Sequence, residues 1–278
     1  MKSAEIENLH TAWPWRAIHT AGSAAPLVVS AWEYGSGERE IWHAHQEAQM
    51  IYVTRGVLRV STPAGIWTLP PFHGIWLPPT VLHELQAVGA VAVRSALIAP
   101  EASLAVQEWK QCRVLRVGPL LDALVGTLTG PIDEADPRSE LVVSLFLLEL
   151  SKAQTALTSG ALPLPHDRRL RMICEQLLAD PQNNDTIELW SERVGASVRT
   201  LARLFREETG LSFGQWRQQL RLVEAMTRLA LGIPVSTIAV ELGYQSSSAF
   251  ISMFRKVLGD TPQRYLRRFE DTRDALAT

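Results

Sequence analysis

The last third of the chain states one pattern twice, and few folds can satisfy it. Trp190, Ser191, Val194 and Gly195 are followed by Leu201, Leu204, Phe205 and Gly210; Ile238, Ala239, Leu242 and Gly243 are followed by Phe250, Met253, Phe254 and Gly259, an offset of 48 or 49 residues. Apolar residues three and four apart turn one helix face to a core, and Gly supplies the left-handed backbone of a tight turn. Each copy therefore predicts helix, turn and helix, over about 186–209 and 235–258. Two such units in tandem make double-stranded DNA the first partner to consider.

Between the copies, Gly214 to Leu231 predicts a helix with Trp216, Leu220, Val223 and Ala230 along one side, stopped by Gly232 and Pro234. At about 1.5 Å per residue it spans roughly 27 Å, close to the roughly 34 Å turn of DNA, so it can set two recognition helices into successive major grooves. Asp185 and Glu188 have capping-box spacing, and Ser197 and Ser246 are suited to N-cap the second helix of each unit. Thr261 and Pro262 open a last helix carrying Arg264, Arg267 and Arg268 towards phosphate.

With Leu201, Leu204 and Phe205 inward, the first unit points Arg199, Ala202, Arg203 and Arg206 outward. Together with Ser197 and Thr200 they are the candidates for base and phosphate contact. In the second unit, Phe250, Met253 and Phe254 face the core and leave Gln245, Ser246, Ser247, Ser248, Ile251, Ser252 and Arg255 exposed. Without an Arg before Arg255, this helix is expected to grip the backbone more than read bases. Residues 161–278 carry 16 Lys and Arg against 14 Asp and Glu, while the remainder carries 11 against 15. Fifteen of those 16 cations are Arg, which either serves bidentate contact to phosphate and guanine or follows GC-rich codon usage.

Residues 27–99 read as short strands, Leu27–Trp32, Met50–Thr54, Val57–Ser61, Ile66–Leu69, Gly74–Leu77 and Val91–Ile98, a pattern of small barrels and sandwiches. From Glu101 the pattern turns helical, through Leu120, Leu121, Leu124, Val125 and Leu128, and a second helix at about Ser139–Leu157. The apolar middle of that second helix suits packing on the barrel, pairing of two subunits, or both. Thr158–His166 resists both periodicities and reads as a linker. Cys112 and Cys174 share no CxxC spacing and read as reduced thiols. Met1–His10 has no apolar run, and Leu141–Leu150 is half a bilayer span, so a cytoplasmic protein with no membrane partner is expected.

The segment Ile187–Gly210, the connector, and Val235–Tyr265 with its ELGYQSSSAFISMFRKVLGDTPQRY resemble the DNA-binding domain of AraC/XylS-type transcription regulators, over about residues 165–268. The resemblance implies that the first unit makes most base contacts, through Arg199 and Arg203. The second often carries a basic residue where this chain has Ser252, and relatives often carry Pro at the place of Phe213.

Gly37, His43, His45, Gln49 and Gly56 fall at G-x5-H-x-H-x3-(E/Q)-x6-G, followed by Pro78-x-Thr80-x2-His83. Both resemble the two motifs of the cupin barrel. Two His alternating along a strand share one face, here the interior, and a third from a neighbouring strand can complete a facial set for a divalent metal. Gln49 stands where metallocupins have Glu, so the set reads equally as a polar network or a pocket for a small organic effector. No catalytic residue is assigned. His10 and His73 read as surface or packing residues, and Trp32, Trp42, Trp67 and Trp76 as core near the pocket.

These readings combine into an α+β protein: a cupin-like β-barrel with accessory helices, then an all-α domain of two helix-turn-helix units on a connector helix. Residues 1–157 form the effector and dimerisation domain (barrel 27–99, helices 101–157), 158–166 the linker and 167–278 the DNA-binding domain. The expected function is a sequence-specific DNA-binding transcription regulator, activator or repressor, acting as a homodimer with RNA polymerase as a further partner. A metal-dependent cupin enzyme with a DNA-binding appendage is the alternative.

Overall fold

The computed structural model describes residues 26–100, 102, 109–130, 136–155, 160–265 and 267. His10, the helical pattern over 103–108 and Arg268 lie outside the described residues, whereas the helix expected over Ser139–Leu157 ends at Ser151, with Thr155 already bridging Leu115. The N-terminal half is one eight-stranded antiparallel sheet: β1 (Leu27–Tyr34), β2 (Arg39–His43), β3 (Ala48–Thr62), β4 (Gly65–Leu69), β5 (His73–Leu77), β6 (His83–Ile98), β7 (Arg113–Arg116) and β8 (Ala161–Pro163). The order along it is β1-β6-β3-β4-β8, with β2 on β6 and β5 joining β3 to β7.

β3 and β6 are the long members and pair along most of their length. Successive residues of β3 face different cores. Met50 and Tyr52 pack with Leu27, Trp76 and Phe146, while Ile51 and Val53 pack with Leu69, Leu85 and Val93. Burial on both faces is why Met50–Val53 reads as an unbroken apolar run. The sequence reading of two strands here, 50–54 and 57–61, is one strand in the structure, bent by register shifts between Val53 and Val57. At the bend Gly56 has φ 78°, and a Cβ there would lie 2.3 Å from the Ala90 carbonyl oxygen. A bulge of this kind bends a strand while keeping its pairing. β2 and β7, five and four residues long, were not read as separate strands, and in β2 a register shift between Glu40 and His43 breaks the alternation.

Two helices, α1 (Pro119–Thr127) and α2 (Pro137–Ser151), cover one sheet face with Leu121, Leu124, Val125, Phe146 and Leu150. Asp136 caps α2, accepting from the Arg138 amide.

The C-terminal half holds α3 (Arg168–Ala179), α4 (Ile187–Val194), α5 (Val198–Thr209), α6 (Phe213–Ala230), α7 (Val235–Glu241) and α8 (Ser247–Leu258). It has two apolar cores. Trp190, Leu201, Phe205, Trp216 and Leu220 fill one, and Leu222, Met226, Ile238, Phe250 and Phe254 the other. Helix α6 contributes to both and so ties the two helix-turn-helix units together. Gly195 and Gly243 adopt φ 64° and 74° at the turns, as the repeat predicts. Ser197 and Ser246 cap α5 and α8. The expected capping box at Asp185 and Glu188 does not form: Thr186 is the N-cap, and Asp185 instead accepts from Arg193 Nη1 at 2.7 Å. No helix of the described residues is long and apolar enough to cross a membrane.

Where the sequence reads a linker, Ala161–Pro163 forms β8 against β4, pairing Ile66 with Leu162. Leu162 is fully buried in the first helix-turn-helix core, and the Pro163 carbonyl accepts from Trp216 Nε1 at 2.7 Å. A three-residue strand with Pro on a sheet edge leaves no periodic signal. Arg59 of β3 reaches Glu224 of α6 at 2.6 Å beside it. At Gly160, with φ 69°, a Cβ would sit 2.0 Å from the Thr68 carbonyl oxygen.

Gly160→Ala is therefore expected to lower unfolding stability by more than about 2 kcal/mol, because left-handed strain and a backbone clash act together. Gly214→Ala, on an exposed helical turn with nothing within 4 Å, is expected to stabilise by roughly 0.5–1 kcal/mol. Urea denaturation of both variants checks the pair; a Gly160 variant as stable as the parent contradicts the first.

Candidate barrel site and DNA-reading surface

The barrel site depends on an irregularity in β2. Glu40 pairs with Leu85 and His43 with His83, so three steps along β2 match two along β6. The extra residue is a β-bulge. Ile41 and Trp42 turn outward at 43% and 42% exposure, and Glu40 and His43 both turn inward. Regular alternation would have put Glu40 and His43 on opposite faces.

The structure brings His43, His45 and His83 together, with one ring nitrogen of each within 4.8 Å of the others. Their rings lie 4.2, 5.3 and 6.1 Å apart. Each Nδ1 sits against a backbone carbonyl: His43 on Ile41 at 2.8 Å, His45 on Glu47 at 2.9 Å and His83 on Val81 at 2.8 Å. A carbonyl only accepts, so the proton of each neutral ring belongs on Nδ1. The His83 Nε2 is buried with no hydrogen-bond partner. Burial and the neighbouring His43 push the His83 pKa down to about 3, and burial lowers that of His45. The Gln49 side-chain amide bridges His45 Nε2 at 3.2 Å and Ser95 Oγ at 2.9 Å.

Three further site residues escaped the sequence reading. Glu40 Oε1 lies 3.3 Å from His43 Nε2, and Glu40 Oε2 accepts from Tyr34 Oη at 3.2 Å. Ser95 orients Gln49. Burial raises the Glu40 and Tyr34 pKa values. The bulge that brings Glu40 inward has no periodic signature, so the pattern gave no signal for it. Among the Trp residues read as core, Trp67 and Trp76 are buried and Trp32 lines the pocket, whereas Trp42 is exposed because the bulge turns it outward. His73 lies on β5 against the Pro71 carbonyl, as a packing residue.

On the helical half, Arg199, Arg203 and Arg206 are exposed along α5, with Thr200 and Ala202 half-buried between them. Arg203 pairs with Glu207 at 2.6 Å. The Ser197 hydroxyl caps the Thr200 amide and lies 2.9 Å from the Thr200 hydroxyl. On the second unit Gln245, Ser246, Ser248, Ser252 and Arg255 are exposed and Ser247 is half-buried. Ile251, expected on the open face, instead packs against the second core. Lys256 and Thr261, not among the expected contact residues, join Ser248, Ser252 and Arg255 around one surface depression. Much of the Arg excess is structural. Arg221 is buried against the Pro181 and Asn183 carbonyls and the Asn184 side chain, and Arg217 holds the Asp185 carbonyl. Arg171 reaches the Pro63 and Pro165 carbonyls, and Arg169, Arg193 and Arg228 pair with Asp167, Asp185 and Glu241.

Acid should destabilise the metal-free barrel. His83 takes up its proton near pH 6.5 when unfolded and only near 3 when folded. Stability from this group is thus complete above about pH 6.5 and falls as the pH drops towards 3. From pH 7.5 to 5 His83 alone costs about 2 kcal/mol; His45 adds to the loss, and Glu40, raised by burial, offsets part of it. Urea midpoints in chelator at the two pH values should show a steeper fall for the parent than for His83→Gln. Equal falls contradict the assignment.

Comparison with known proteins agrees with both halves. The helix-turn-helix domain family HTH_18 matches residues 190–268, and the AraC-like ligand binding domain family matches residues 26–151. The transcriptional regulator NimR of Escherichia coli is 33% identical over 228 residues, covering 81% of this chain and 82% of NimR. The arabinose operon regulatory protein of Escherichia coli is 28% identical over 131 residues, covering 46% of this chain and 44% of its own. The solved structure of ToxT from Vibrio cholerae with a bound unsaturated fatty acid covers 86% of this chain and 94% of its own, at 13% identity and a TM-score of 0.38. With a regulator aligned over four fifths of both chains and each half matched to its own domain, this chain belongs to the AraC family of DNA-binding transcription regulators, with an AraC-type ligand-binding domain ahead of its helix-turn-helix domain.

Proposed function

We propose that this regulator reads promoter DNA chiefly through α5, grips the backbone through α8, and adjusts that binding to a small effector held at the barrel histidines. The observation that carries the reading is the face of α5. Arg199 and Arg206 make no ion pair among the described residues, and Arg203 is held only by an exposed partner. Such a pair is weak in water and exchanges readily for phosphate or a guanine edge. The capping hydroxyls of Ser197 and Thr200 sit at the helix N-terminus, where backbone amides also favour phosphate. On α8, Ser246, Ser247, Ser248, Ser252 and Gln245 offer neutral contacts, with Arg255 and Lys256 at the far end suited to phosphate.

In this reading residues 1–157 sense and pair, 167–278 bind DNA, and 158–166 join them. The pairing partner is a second copy of the chain. Leu141, Leu145 and Leu148 form an exposed apolar stripe on α2, with Leu120 of α1 exposed as well. Leu141 is 71% exposed, which a lone subunit gains nothing by leaving in water. RNA polymerase on the same promoter and a cytoplasmic setting follow from this role. The alternative, a metal-dependent cupin enzyme, draws on the histidine cluster alone; the relatives are transcription regulators.

Arg203→Ala is expected to lose about 1–3 kcal/mol of discrimination between specific and scrambled DNA, whereas Arg255→Ala should weaken binding to both alike. Footprinting of the two variants decides, and equal losses on both DNAs for Arg203→Ala sink the assignment. Leu141→Glu with Leu148→Glu should leave a folded monomer by sedimentation, with at least tenfold weaker promoter binding through lost avidity. A parent chain that sediments as a monomer on and off DNA overturns the pairing.

A further inference from the structure

We infer that Glu40 is the anionic ligand of a divalent-cation site made with His43, His45 and His83, in place of the uncharged Gln49. This rests on the barrel being the effector site, and it makes the effector a cation or a molecule bound through one.

The geometry around Glu40 suits a positive species, a bound cation taking the place of the proton that would otherwise bridge His43 and Glu40. His43 Nδ1 lies 2.8 Å from the Ile41 carbonyl and carries the proton, so its Nε2 presents a lone pair. That lone pair faces a carboxylate oxygen at 3.3 Å. Two donors on one ion, each at roughly 2.0–2.2 Å, stand about 3.0–3.5 Å apart, so the pair already has the spacing of ligands sharing a metal. The His83 Nε2 supplies the independent observation, being a buried acceptor at 1% exposure with no partner. Such an orphan is costly unless something fills it. The three histidine nitrogens, within 4.8 Å of one another, need to close by about an ångström to meet at one ion.

The surroundings favour a cation. Glu33, Glu38 and Glu40 line the pocket, and no Lys or Arg does so among the described residues. Gln49, whose amide spans Ser95 and His45 Nε2, is uncharged and so the poorer ligand beside a carboxylate. Tyr34 holds the other Glu40 oxygen, as second-layer groups do around metals. Three imidazoles and one carboxylate suit a first-row transition ion such as Zn²⁺ or Co²⁺, and are too nitrogen-rich for Mg²⁺ or Ca²⁺. Binding would draw in β2, since Glu40 and His43 flank the bulge.

The test uses the full chain, stripped with chelator and titrated calorimetrically with Zn²⁺. The parent should bind one equivalent, Glu40→Gln at least tenfold more weakly, and Gln49→Ala within about threefold of the parent. Direct proximity is read from Co²⁺ loading of Glu40→Cys and Gln49→Cys. A thiolate-to-cobalt charge-transfer band should appear for position 40 and be absent for position 49, which keeps the question decidable even if Glu40→Gln folds poorly. Unchanged affinity in Glu40→Gln, or a charge-transfer band at 49 and none at 40, overturns the role of Glu40. A parent that binds neither Zn²⁺ nor Co²⁺ overturns the cation site. A thermal-shift screen of the same stripped chain against metal-free organic metabolites separates that outcome from failure of the effector reading: a stabilising metabolite keeps the latter alone.

Discussion

Strand β6 is the element on which both halves of the molecule depend. Near its start Leu85 and Gln86 are paired on both edges. On one edge His83 faces His43 and Leu85 faces Glu40; on the other Leu85 faces Val60 and Gln86 faces Arg59. Arg59 in turn holds Glu224 on α6. The barrel site and the dock of the DNA-reading unit are therefore joined by one short stretch of hydrogen-bonded backbone. Any change of register or twist at the bulge of β2 is felt in β6, because paired strands deform together.

The dock is more than a charge pair. Leu162 extends the barrel sheet through β8 and at the same time completes the core of the first helix-turn-helix unit. Trp216, on the helix shared by both DNA-reading units, donates its indole N–H to the Pro163 carbonyl. A fragment meant to represent the DNA-binding half must therefore begin before Leu162, or its first core loses a buried side chain. The Arg59–Glu224 pair is partly shielded, so its contribution depends on whether the surrounding contact stays closed.

The two helix-turn-helix units and their connector were legible almost residue by residue. Their order rests on local rules, namely apolar spacing, turn glycines and serine caps, all of which act within a few residues of sequence. The exceptions have a physical cause. Asp185 is taken by Arg193, Ile251 is covered by a core that lies across from it, and Arg221 is buried under a loop rather than offered to DNA. The last two are settled by partners distant in sequence and the first by a side chain eight residues on, none of which apolar or capping spacing reports.

The sequence by itself determined the tandem helix-turn-helix units and the face of α5 that carries Arg199, Arg203 and Arg206, because helix period converts spacing into direction. It named His43, His45 and His83 by motif, although β2 ends at His43 and His45 reaches the cluster from the loop beyond it rather than by strand alternation. Tertiary structure alone decided that Glu40 joins the histidines, that Gln49 is tied to Ser95, and that residues 161–163 are a strand shared by two cores. The reason is the same in each instance. A bulge breaks alternation, a hydrogen bond spans 46 residues, and a three-residue edge strand takes its conformation from the strand it joins rather than from its own side chains.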